Sequence, residues 1–457
     1  MKFITIKINI QYYLLFFLLS FTFNLQSQDN DNNFIEKTKI QHKISEGKHN
    51  FYSHNIKTAL LNYKEALAMD PQNAKAEFGL AQCYFKLNKH KDALVHGKKA
   101  ERLNPEVDEN LDFILGEIYF RNGELDMAKK HIQSFKNNTK SKSKLEEFDV
   151  ELILNQIDYS SQAIKNENKA ISIKNMGEII NSSGPEYAPS ISQDGKYFIF
   201  TSRRSDTKGG DIDRNYDFQY FSDIYLSKWN ETNKAWDQPS NYLGKINTEY
   251  HDGSLGFTAD NSILVYRNIF GVTKSGDIYI SHQGKSGDWA TPKPIAHKDK
   301  KISNKINSTY FESSASITSD GEYIYFVSER PGGQGQADIY FVKKLGKTYT
   351  EPENIGSSIN TSLDEKCVFI HPDGNTLFFT SNGRKESIGS YDIYYCSGGH
   401  GNWSEPINMG YPINSFLEEK TINVSLDKTK AYVGAYYDIK NKGDADIYEI
   451  DISSFKF

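Results

Sequence analysis

One short pattern recurs five times between Asn181 and Tyr448, and it constrains the fold of this 457-residue chain more than any other feature. Each copy opens with an Ile-Asn step and closes with an Asp-Ile-Tyr triplet. The opening residues are Asn181, Asn247, Asn307, Asn360 and Asn414. The closing triplets begin at Asp223, Asp277, Asp338, Asp392 and Asp446. Such repetition indicates an array of similar structural units.

Each copy also carries a turn signal thirteen residues after its Asn, with no gap in any copy. The turn residues are Asp194, Asp260, Asp320, Asp373 and Asp427. Three of these are followed by Gly, which accepts the positive φ of a hairpin turn, and a strand-like run rich in aromatic and β-branched residues comes next. Four short strands in each copy of about 55 to 65 residues are typical of a propeller blade.

The number of blades follows from how the ring closes. The fifth copy ends at Tyr448 without a fourth strand, whereas residues 170–181 supply one upstream of the first copy. We expect this upstream strand to complete the last blade, because closure then leaves no free sheet edge. The sequence therefore predicts five blades, with six as the alternative.

The combination of turn, strand, Ser-x-Arg and Asp-Ile-Tyr resembles the WD40-like repeat of TolB-type β-propellers. The residues that carry this resemblance include Ser202, Arg203 and Arg204 in the first copy, and Ser328, Glu329 and Arg330 in the third. The resemblance covers roughly residues 165–457. It implies that this part of the chain is one all-β domain.

A second period, of 34 residues, precedes the propeller. Gly47, Ala59, Tyr63, Ala66 and Pro71 match Ala81, Ala93, Gly97, Ala100 and Pro105. This pattern resembles the tetratricopeptide repeat, in which two antiparallel helices per unit meet through small residues. We expect a helical domain over residues 34–160, in which an amphipathic helix at 143–158 caps the last repeat. The large aromatic residue usual near the start of each unit is absent.

The resulting fold class is a multidomain α + β protein, in which a tetratricopeptide-like α-solenoid precedes an all-β propeller. The concave side of such a solenoid often binds peptides, although a spacer role fits the sequence equally well. The formal net charge of −5 and the lack of a long basic run argue against a nucleic-acid partner. With only three cysteines, no disulfide framework is predicted.

The first residues have the features of an export signal. Lys2 and Lys7 precede an apolar run over residues 12–23, and a plausible cleavage site follows at 25–27. We expect residues 1–27 to be a cleaved signal peptide, with a retained anchor as the alternative. No other stretch is apolar enough to span a bilayer. An exported protein, in the periplasm or associated with the outer membrane, is predicted.

An acidic residue follows five positions after each opening Asn, and these five form the sharpest candidate site. They are Glu186, Asp252, Glu312, Glu365 and Glu419. Each falls just before the innermost strand of its blade, so a ring of carboxylates near one mouth of the central channel is possible. Such a ring could hold a cation or attract a basic segment. The structural interpretation, in which each bonds to local amides or an Arg, is favoured because uniform repetition maintains a fold.

One long insertion breaks the symmetry of the first blade. It contains the alternating oxygen ligands Asp211, Asp213, Asn215 and Asp217, which suit calcium. The Gly and the distal bidentate Glu of an EF-hand loop are missing, so a solvated polar loop is the favoured interpretation and Ca²⁺ the alternative. No other cofactor is predicted.

The sequence contains none of the catalytic motifs considered, including Gly-x-Ser-x-Gly and His-Glu-x-x-His. An export signal, tetratricopeptide repeats and a TolB-type propeller together resemble the front half of envelope proteins of the Bacteroidota. In that family an OmpA-like domain usually follows, and some members belong to type IX secretion. The chain stops nine residues after its last triplet, so we expect it to lack this wall-anchoring domain.

These features favour a non-catalytic exported scaffold that binds envelope proteins through its helical repeats and one propeller face. The alternative is a protein that binds glycans or peptidoglycan fragments at the mouth of the channel. A propeller enzyme, either a lyase or a hydrolase, is the least favoured interpretation.

Overall fold

The computed structural model describes residues 35–213, 219–268, 276–399, 401–437 and 442–457, and the chain forms two compact units that divide after Lys142. The first unit is helical and the second contains a five-blade propeller, which confirms the predicted fold class. The predicted signal peptide, residues 1–27, lies outside the described residues. Within the described ranges, no helix has the length and apolar character needed to cross a membrane.

Consecutive helices that pack against their neighbours build the first unit. They are α1 (35–52), α2 (Ile56–Met69), α3 (Ala74–Lys86), α4 (His90–Leu103), α5 (Leu111–Arg121) and α6 (Leu125–Asn138). Short connections make each helix antiparallel to the next. The pairs α1–α2, α3–α4 and α5–α6 correspond to the three predicted repeats.

Small residues allow these helices to approach closely, as predicted. Ala59 and Ala93 are fully buried. The ring of Tyr63 fills the space between Gly47 and Gly79, where an added Cβ would come within 2.8 Å and 2.3 Å of the ring. Any larger residue at these two glycines would therefore displace the tyrosine, because protein interiors are close-packed.

Buried polar contacts replace the missing aromatic residue of the repeats. In this repeat family an aromatic residue usually lies four positions before the small residue of the unit. In repeat 2 this position is occupied by Glu77. Its carboxylate accepts from His96 at 2.6 Å and from Lys99 at 2.5 Å. In repeat 3 Asp112 contacts His131 at 2.8 Å in the same way. Repeats 2 and 3 thus each join their two helices by a charge-assisted hydrogen bond at this position.

Two more helices, α7 (Lys142–Glu147) and α8 (Val150–Lys165), come before the propeller. The side chain of Gln156 in α8 donates to the carbonyl oxygen of Arg384 at 2.9 Å. The Ser160 hydroxyl donates to the carbonyl oxygen of Gln156 at 2.7 Å and lies 3.3 Å from that of Ile388. Helix α8 is therefore fixed to a loop of the propeller. Its predicted role as a cap on the helical repeats stays a prediction.

Each blade is an antiparallel sheet, and in blades 1 to 4 the strands follow in chain order from the centre outwards. Blade 1 contains β2 (Glu186–Ile191), β3 (Tyr197–Ser202), β4 (Asp223–Asn230) and β5 (Ala235–Trp236). Blade 2 contains β6 (His251–Phe257), β7 (Ile263–Asn268), β8 (Asp277–Ser281) and β9 (Lys293–Pro294). Helix α9 (Lys300–Ile306), which the sequence analysis did not predict, leads into blade 3.

In blades 3 and 4 the outermost strand is split into two short segments. Blade 3 contains β10 (Glu312–Ile317), β11 (Tyr323–Ser328), β12 (Asp338–Leu345), β13 (Thr348–Tyr349) and β14 (Glu353–Asn354). Blade 4 contains β15 (Glu365–Ile370), β16 (Thr376–Ser381), β17 (Asp392–Gly399), β18 (Asn402–Trp403) and β19 (Ile407–Asn408). Both segments pair with the third strand of their blade.

Blade 5 closes the ring as predicted. It contains β20 (Glu419–Val424), β21 (Lys430–Ala435) and β22 (Asp446–Asp451), and its fourth strand is β1 (Ser172–Asn175) from upstream of blade 1. The pairing of β1 with β22 is antiparallel, with Ser172 opposite Asp451 and Asn175 opposite Tyr448. The blades pack face to face; for example, Phe198 of blade 1 contacts Tyr432 of blade 5 with ring centroids 5.1 Å apart.

The turn after each inner strand has the predicted geometry. The residue after each turn Asp has a positive φ between 56° and 71°, whether it is Gly or not. These residues are Gly195, Asn261, Gly321, Gly374 and Lys428. The turn carboxylate accepts local bonds, as in Asp194, whose Oδ1 accepts from the Ser192 hydroxyl at 2.6 Å. Positive φ is unusual outside Gly and Asn, so Lys428 is the strained member of the set.

The recurring Asn is an inter-blade clamp. Its side-chain amide donates to the carbonyl oxygen, and accepts from the N–H, of the Ile in the preceding blade's Asp-Ile-Tyr triplet, at 2.8 to 3.0 Å in every blade. The pairs are Asn181 with Ile447, Asn247 with Ile224, Asn307 with Ile278, Asn360 with Ile339, and Asn414 with Ile393. The amide therefore supplies the partner of an N–H that would otherwise be unpaired. In four of the blades the carbonyl oxygen of the Ile also accepts a backbone N–H.

Removing one clamp should weaken the propeller. We expect Asn360→Ala to lower the free energy of unfolding by about 1–3 kcal/mol, because the buried N–H of Ile339 loses its partner, whereas its C=O keeps the bond from the Ile355 N–H. All four tryptophans lie in the propeller, so their fluorescence during urea unfolding reports this unit. Asn233→Ala, at an exposed turn, is the matched control. Equal stability of the two variants would contradict a clamp role.

Candidate functional site

The acidic column lies inside the blades. All five carboxylate residues are fully buried, with 0% exposure. Each accepts the backbone N–H and the hydroxyl of the Ser or Thr that follows the clamp Asn; for Glu186 the donors are the N–H and Oγ of Ser182, at 2.8 and 2.6 Å. The column therefore does not form an exposed ring at the mouth of the channel. Its contacts are those of the structural interpretation.

Arginines pair with the column in the first three blades. Arg204 contacts Glu186 at 3.2 Å, Arg330 contacts Glu312 at 3.2 Å, and Arg267 donates to Asp252 at 2.6 Å. Each guanidinium also donates to the carbonyl oxygen of the Ile before the clamp Asn. In blade 4 the guanidinium of Arg384 makes this carbonyl contact with Ile359. The arginine thus balances a buried charge and fixes the start of the blade.

Blade 5 departs from this pattern. Tyr437 donates its hydroxyl to the carbonyl oxygen of Ile413, so a neutral group takes the place of the arginine. Burial, together with the nearby Asp392, raises the pKa of Glu419 well above its usual range. In blade 4 burial raises the pKa of Glu365 to about 7, despite the bonds from Thr361. These two carboxyls bind a proton far more readily than an exposed glutamate.

In four blades the Asp of the Asp-Ile-Tyr triplet accepts N–H groups of the loop before it. Asp392 accepts from the N–H groups of Ile388 and Gly389 at 2.6 and 2.8 Å. Asp223, Asp338 and Asp446 accept loop N–H groups in the same way. These four aspartates therefore hold the loops between the second and third strands. Burial raises the pKa of Asp223 and of Asp277 to about 6.

The candidate calcium loop is only partly described. Asn215 and Asp217 lie outside the described residues. Asp211 is exposed, whereas Asp213 is buried and its carboxylate contacts His251 Nε2 at 3.1 Å. The N–H and the hydroxyl of Ser222 meet the other ring nitrogen at 3.2 and 3.1 Å. No cluster of three metal-ligating residues occurs in the described part of the chain, so Ca²⁺ binding stays a prediction.

The inner strands all begin at the same end of the ring, because the same inter-blade bond recurs at each. The N–H of every column residue donates to the carbonyl oxygen just before the preceding blade's triplet, at 2.8 to 3.0 Å. The acceptors are Ala445, Ser222, Gly276, Ala337 and Tyr391. This end is therefore one mouth of the central channel, and the residues that flank the column lie at it.

Blades 4 and 5 place charged residues at this mouth. Lys366 contacts Asp364 at 3.5 Å and lies 4.6 Å from the centre of the Tyr391 ring, and the Tyr391 hydroxyl donates to Asp364 at 2.7 Å. Burial, followed by this bond, raises the pKa of Tyr391. The lysine keeps 53% of its side chain exposed, so a molecule at the mouth could reach it.

Blade 5 repeats the arrangement with Lys420, Glu418 and Tyr436. The lysine contacts Glu418 at 3.7 Å and lies 4.8 Å from the Tyr436 ring. Burial would lower the pKa of Lys420, but Tyr436 and Glu418 outweigh it and raise the pKa. We call these six residues the mouth cluster: Asp364, Lys366, Tyr391, Glu418, Lys420 and Tyr436. Its paired charges and hydroxyls suit contacts with a polar segment of another molecule.

The mouth cluster was not predicted, although the residues that flank the acidic column differ between the blades. At the positions that flank the column, blades 1 to 3 have Pro185 and Tyr187, His251 and Gly253, and Phe311 and Ser313. Only blades 4 and 5 have an acid before the column and a lysine after it. Aligning the five copies by the residues they share does not identify positions at which they differ.

The other end of the channel contains a small cavity. Residues at the ends of the inner strands line it, among them Phe257, Ile317, Phe369 and Leu426.

Comparison with known proteins supports the helical part of the fold. The tetratricopeptide repeat family matches residues 51–96. No curated protein matches the chain. The translocator chaperone SycD of Yersinia enterocolitica is 15% identical over 28% of this chain and 88% of its own, with a TM-score of 0.25. The first tetratricopeptide domain of Spaghetti (RPAP3), bound to an HSP90 peptide, is 23% identical over 28% and 94%, with a TM-score of 0.24.

A longer match includes a protein of unknown function from Dyadobacter fermentans. It is 15% identical over 58% of this chain and 76% of its own, with a TM-score of 0.34. Together with the fold, the family match identifies a tetratricopeptide array followed by a five-blade propeller. Arrays of this class are scaffolds for binding other proteins.

The difference between blades 3 and 5 gives a pH-dependent prediction. A carboxyl with a raised folded-state pKa stabilises the fold below its unfolded pKa of about 4.3, and this contribution is lost as pH rises through the folded pKa. We expect Glu419→Gln to raise the free energy of unfolding at pH 8 by at least about 1 kcal/mol and to flatten its fall above pH 5.

Glu312→Gln is the matched variant, because this carboxylate has an arginine partner. Its loss should lower the free energy of unfolding at pH 8 by about 2–4 kcal/mol, since Arg330 would keep its charge without the anion. Urea unfolding followed by tryptophan fluorescence from pH 5 to pH 8 measures both. The same sign of change in the two variants would contradict this account.

Proposed function

We propose that this protein is an exported, non-catalytic adaptor that binds other proteins of the cell envelope. The observation that carries the proposal is the tetratricopeptide array, which matches its family over residues 51–96 and keeps three helix pairs. The array and the propeller are both repeat folds that present extended surfaces to partners.

The open side of α3 is the proposed contact surface of the array. This helix packs against α2, α4 and α5, and most of its residues are buried. Lys75 and Lys86 remain exposed and Gln82 half-buried, and their spacing places all three on one face. We call these residues the α3 stripe. Its two positive charges favour an acidic segment of a partner.

The mouth cluster supports a second contact on the propeller. It combines two half-exposed lysines, two carboxylates and two tyrosines at one mouth of the channel. Tyrosine and paired charges are common at the contacts between proteins. A partner that binds both units would be held more tightly than by either unit alone, because the second binding event becomes intramolecular.

The cellular setting of this proposal rests on the sequence. The export signal and the resemblance to TolB-type envelope proteins of the Bacteroidota support a place in the periplasm or at the outer membrane. They also support a link to outer-membrane or type IX secretion machinery. A catalytic role is not part of the proposal, because the sequence has no recognised catalytic motif.

The glycan alternative now depends on the mouth cluster. The carboxylates first considered for it, such as Glu312 and Glu365, are buried and bonded within their blades. The half-exposed Lys366 and Lys420 would have to supply the polar contacts instead. Binding on a glycan array that is lost in Lys366→Ala with Lys420→Ala would favour this alternative over the adaptor.

Crosslinking in intact cells followed by affinity purification tests the adaptor. The bait is the tagged full-length protein, compared with a variant that carries Lys75→Glu and Lys86→Glu. We expect the wild type to recover specific envelope proteins, and the variant to recover at least tenfold less, because reversed charges repel an acidic partner.

The control variant carries Lys57→Glu and Lys91→Glu, at exposed positions of α2 and α4, and has the same net charge. It should recover partners as the wild type does. Recovery of no specific protein by the wild type, or equal losses in the two variants, would count against the proposed function.

A further inference from the structure

A groove of about 520 Å³ lies between the outer strands of blade 5 and those of blade 1. It shares no lining residue with the mouth cluster or with the α3 stripe, and it shares Ile191 with the cavity at the other end of the channel. Its volume lies within the range of roughly 300–1,000 Å³ that is usual for ligand sites. Strand β1, which completes blade 5, supplies Lys174 to one wall of the groove.

The floor of the groove is apolar. Met176, Ile180 and Tyr432 line it on the side of blade 5, and Trp229 and Trp236 line it on the side of blade 1. The two tryptophan rings are half-buried and meet edge to face, with centroids 5.3 Å apart and an angle of 73°. Rigid aromatic rings beside aliphatic side chains are typical of a pocket that receives a large apolar group.

The rim of the groove is basic. Lys174, Lys234 and Lys430 stand at it, and Glu449 is the one carboxylate among the described lining residues. Lys430 contacts Glu449 at 3.1 Å. Lys234 contacts Glu231 at 2.8 Å, but both side chains are more than 70% exposed, so this ion pair is weak. The rim therefore keeps a positive excess that attracts negative charge.

We propose that this groove binds an acidic, extended peptide segment of a partner protein, which inserts one large apolar side chain between the tryptophans and the isoleucine floor. Carboxylates beside that side chain meet the three lysines. A saccharide fits less well, because its hydroxyls need polar partners and the floor offers aliphatic carbon instead. The site is independent of the α3 stripe, so either can fail without the other.

Labelled heptapeptides test this proposal on the purified full-length protein. The probe has a central phenylalanine between two pairs of aspartates; one matched peptide has alanine at the centre, and another has lysines in place of the aspartates. Fluorescence anisotropy should show binding of the probe, at least tenfold weaker binding of the alanine peptide, and none of the lysine peptide. Unlabelled probe should also change the tryptophan fluorescence, because two of the four tryptophans line the groove.

A pair of charge-reversed variants locates the binding. Lys174→Glu with Lys234→Glu should weaken probe binding at least tenfold, whereas Lys285→Glu with Lys347→Glu, at exposed positions in blades 2 and 3, should leave it unchanged. Absence of probe binding at about 1 mM, or equal binding to both variants, would overturn the proposal. Displacement of the probe by a glucuronate disaccharide at equal concentration would also overturn it and would identify an acidic glycan site.

Discussion

The ring of five blades depends on the hydrogen bonds of one side-chain amide, repeated at each blade boundary. Asn360 and its four equivalents hold the connecting segment against the third strand of the preceding blade, and the next inner strand then bonds to that blade through its first N–H. Each blade therefore orients the one after it. The ring is closed, because the amide of Asn181 before blade 1 binds Ile447 in blade 5. The last blade therefore also orients the first.

The buried carboxylates of the acidic column are tolerated because each accepts hydrogen bonds. Arg330 and the Ser308 hydroxyl contact Glu312. Between helices of the first unit, His96 contacts Glu77 in the same way. A buried charge without such partners would cost several kcal/mol. Blade 5 satisfies the same rule differently: Tyr437 replaces the arginine, and Glu419 retains its proton more readily. The symmetry of the fold thus allows local differences in charge.

Much of the fold could be predicted from the sequence, because each blade repeats its signals at fixed spacing. The pairing of β1 with β22 followed from counting strands, and the Asp-Gly turns followed from backbone sterics. The contacts of Glu77 could not be predicted, since His96 and Lys99 lie on another helix. The mouth cluster and the groove were also missed. Their residues differ between blades. Lys174 and Trp236 line the same groove only when the ring is closed.

The attachment of α8 to blade 4 has a mechanical consequence. Strand β1 pairs over only four residues, so a pulling force applied directly to its start would separate it from β22 with little resistance. Any load that reaches the propeller along the chain from the helical unit must first pass through α8. Gln156 attaches this helix to the backbone of a neighbouring blade, so part of such a load would bypass the pairing of β1 with β22.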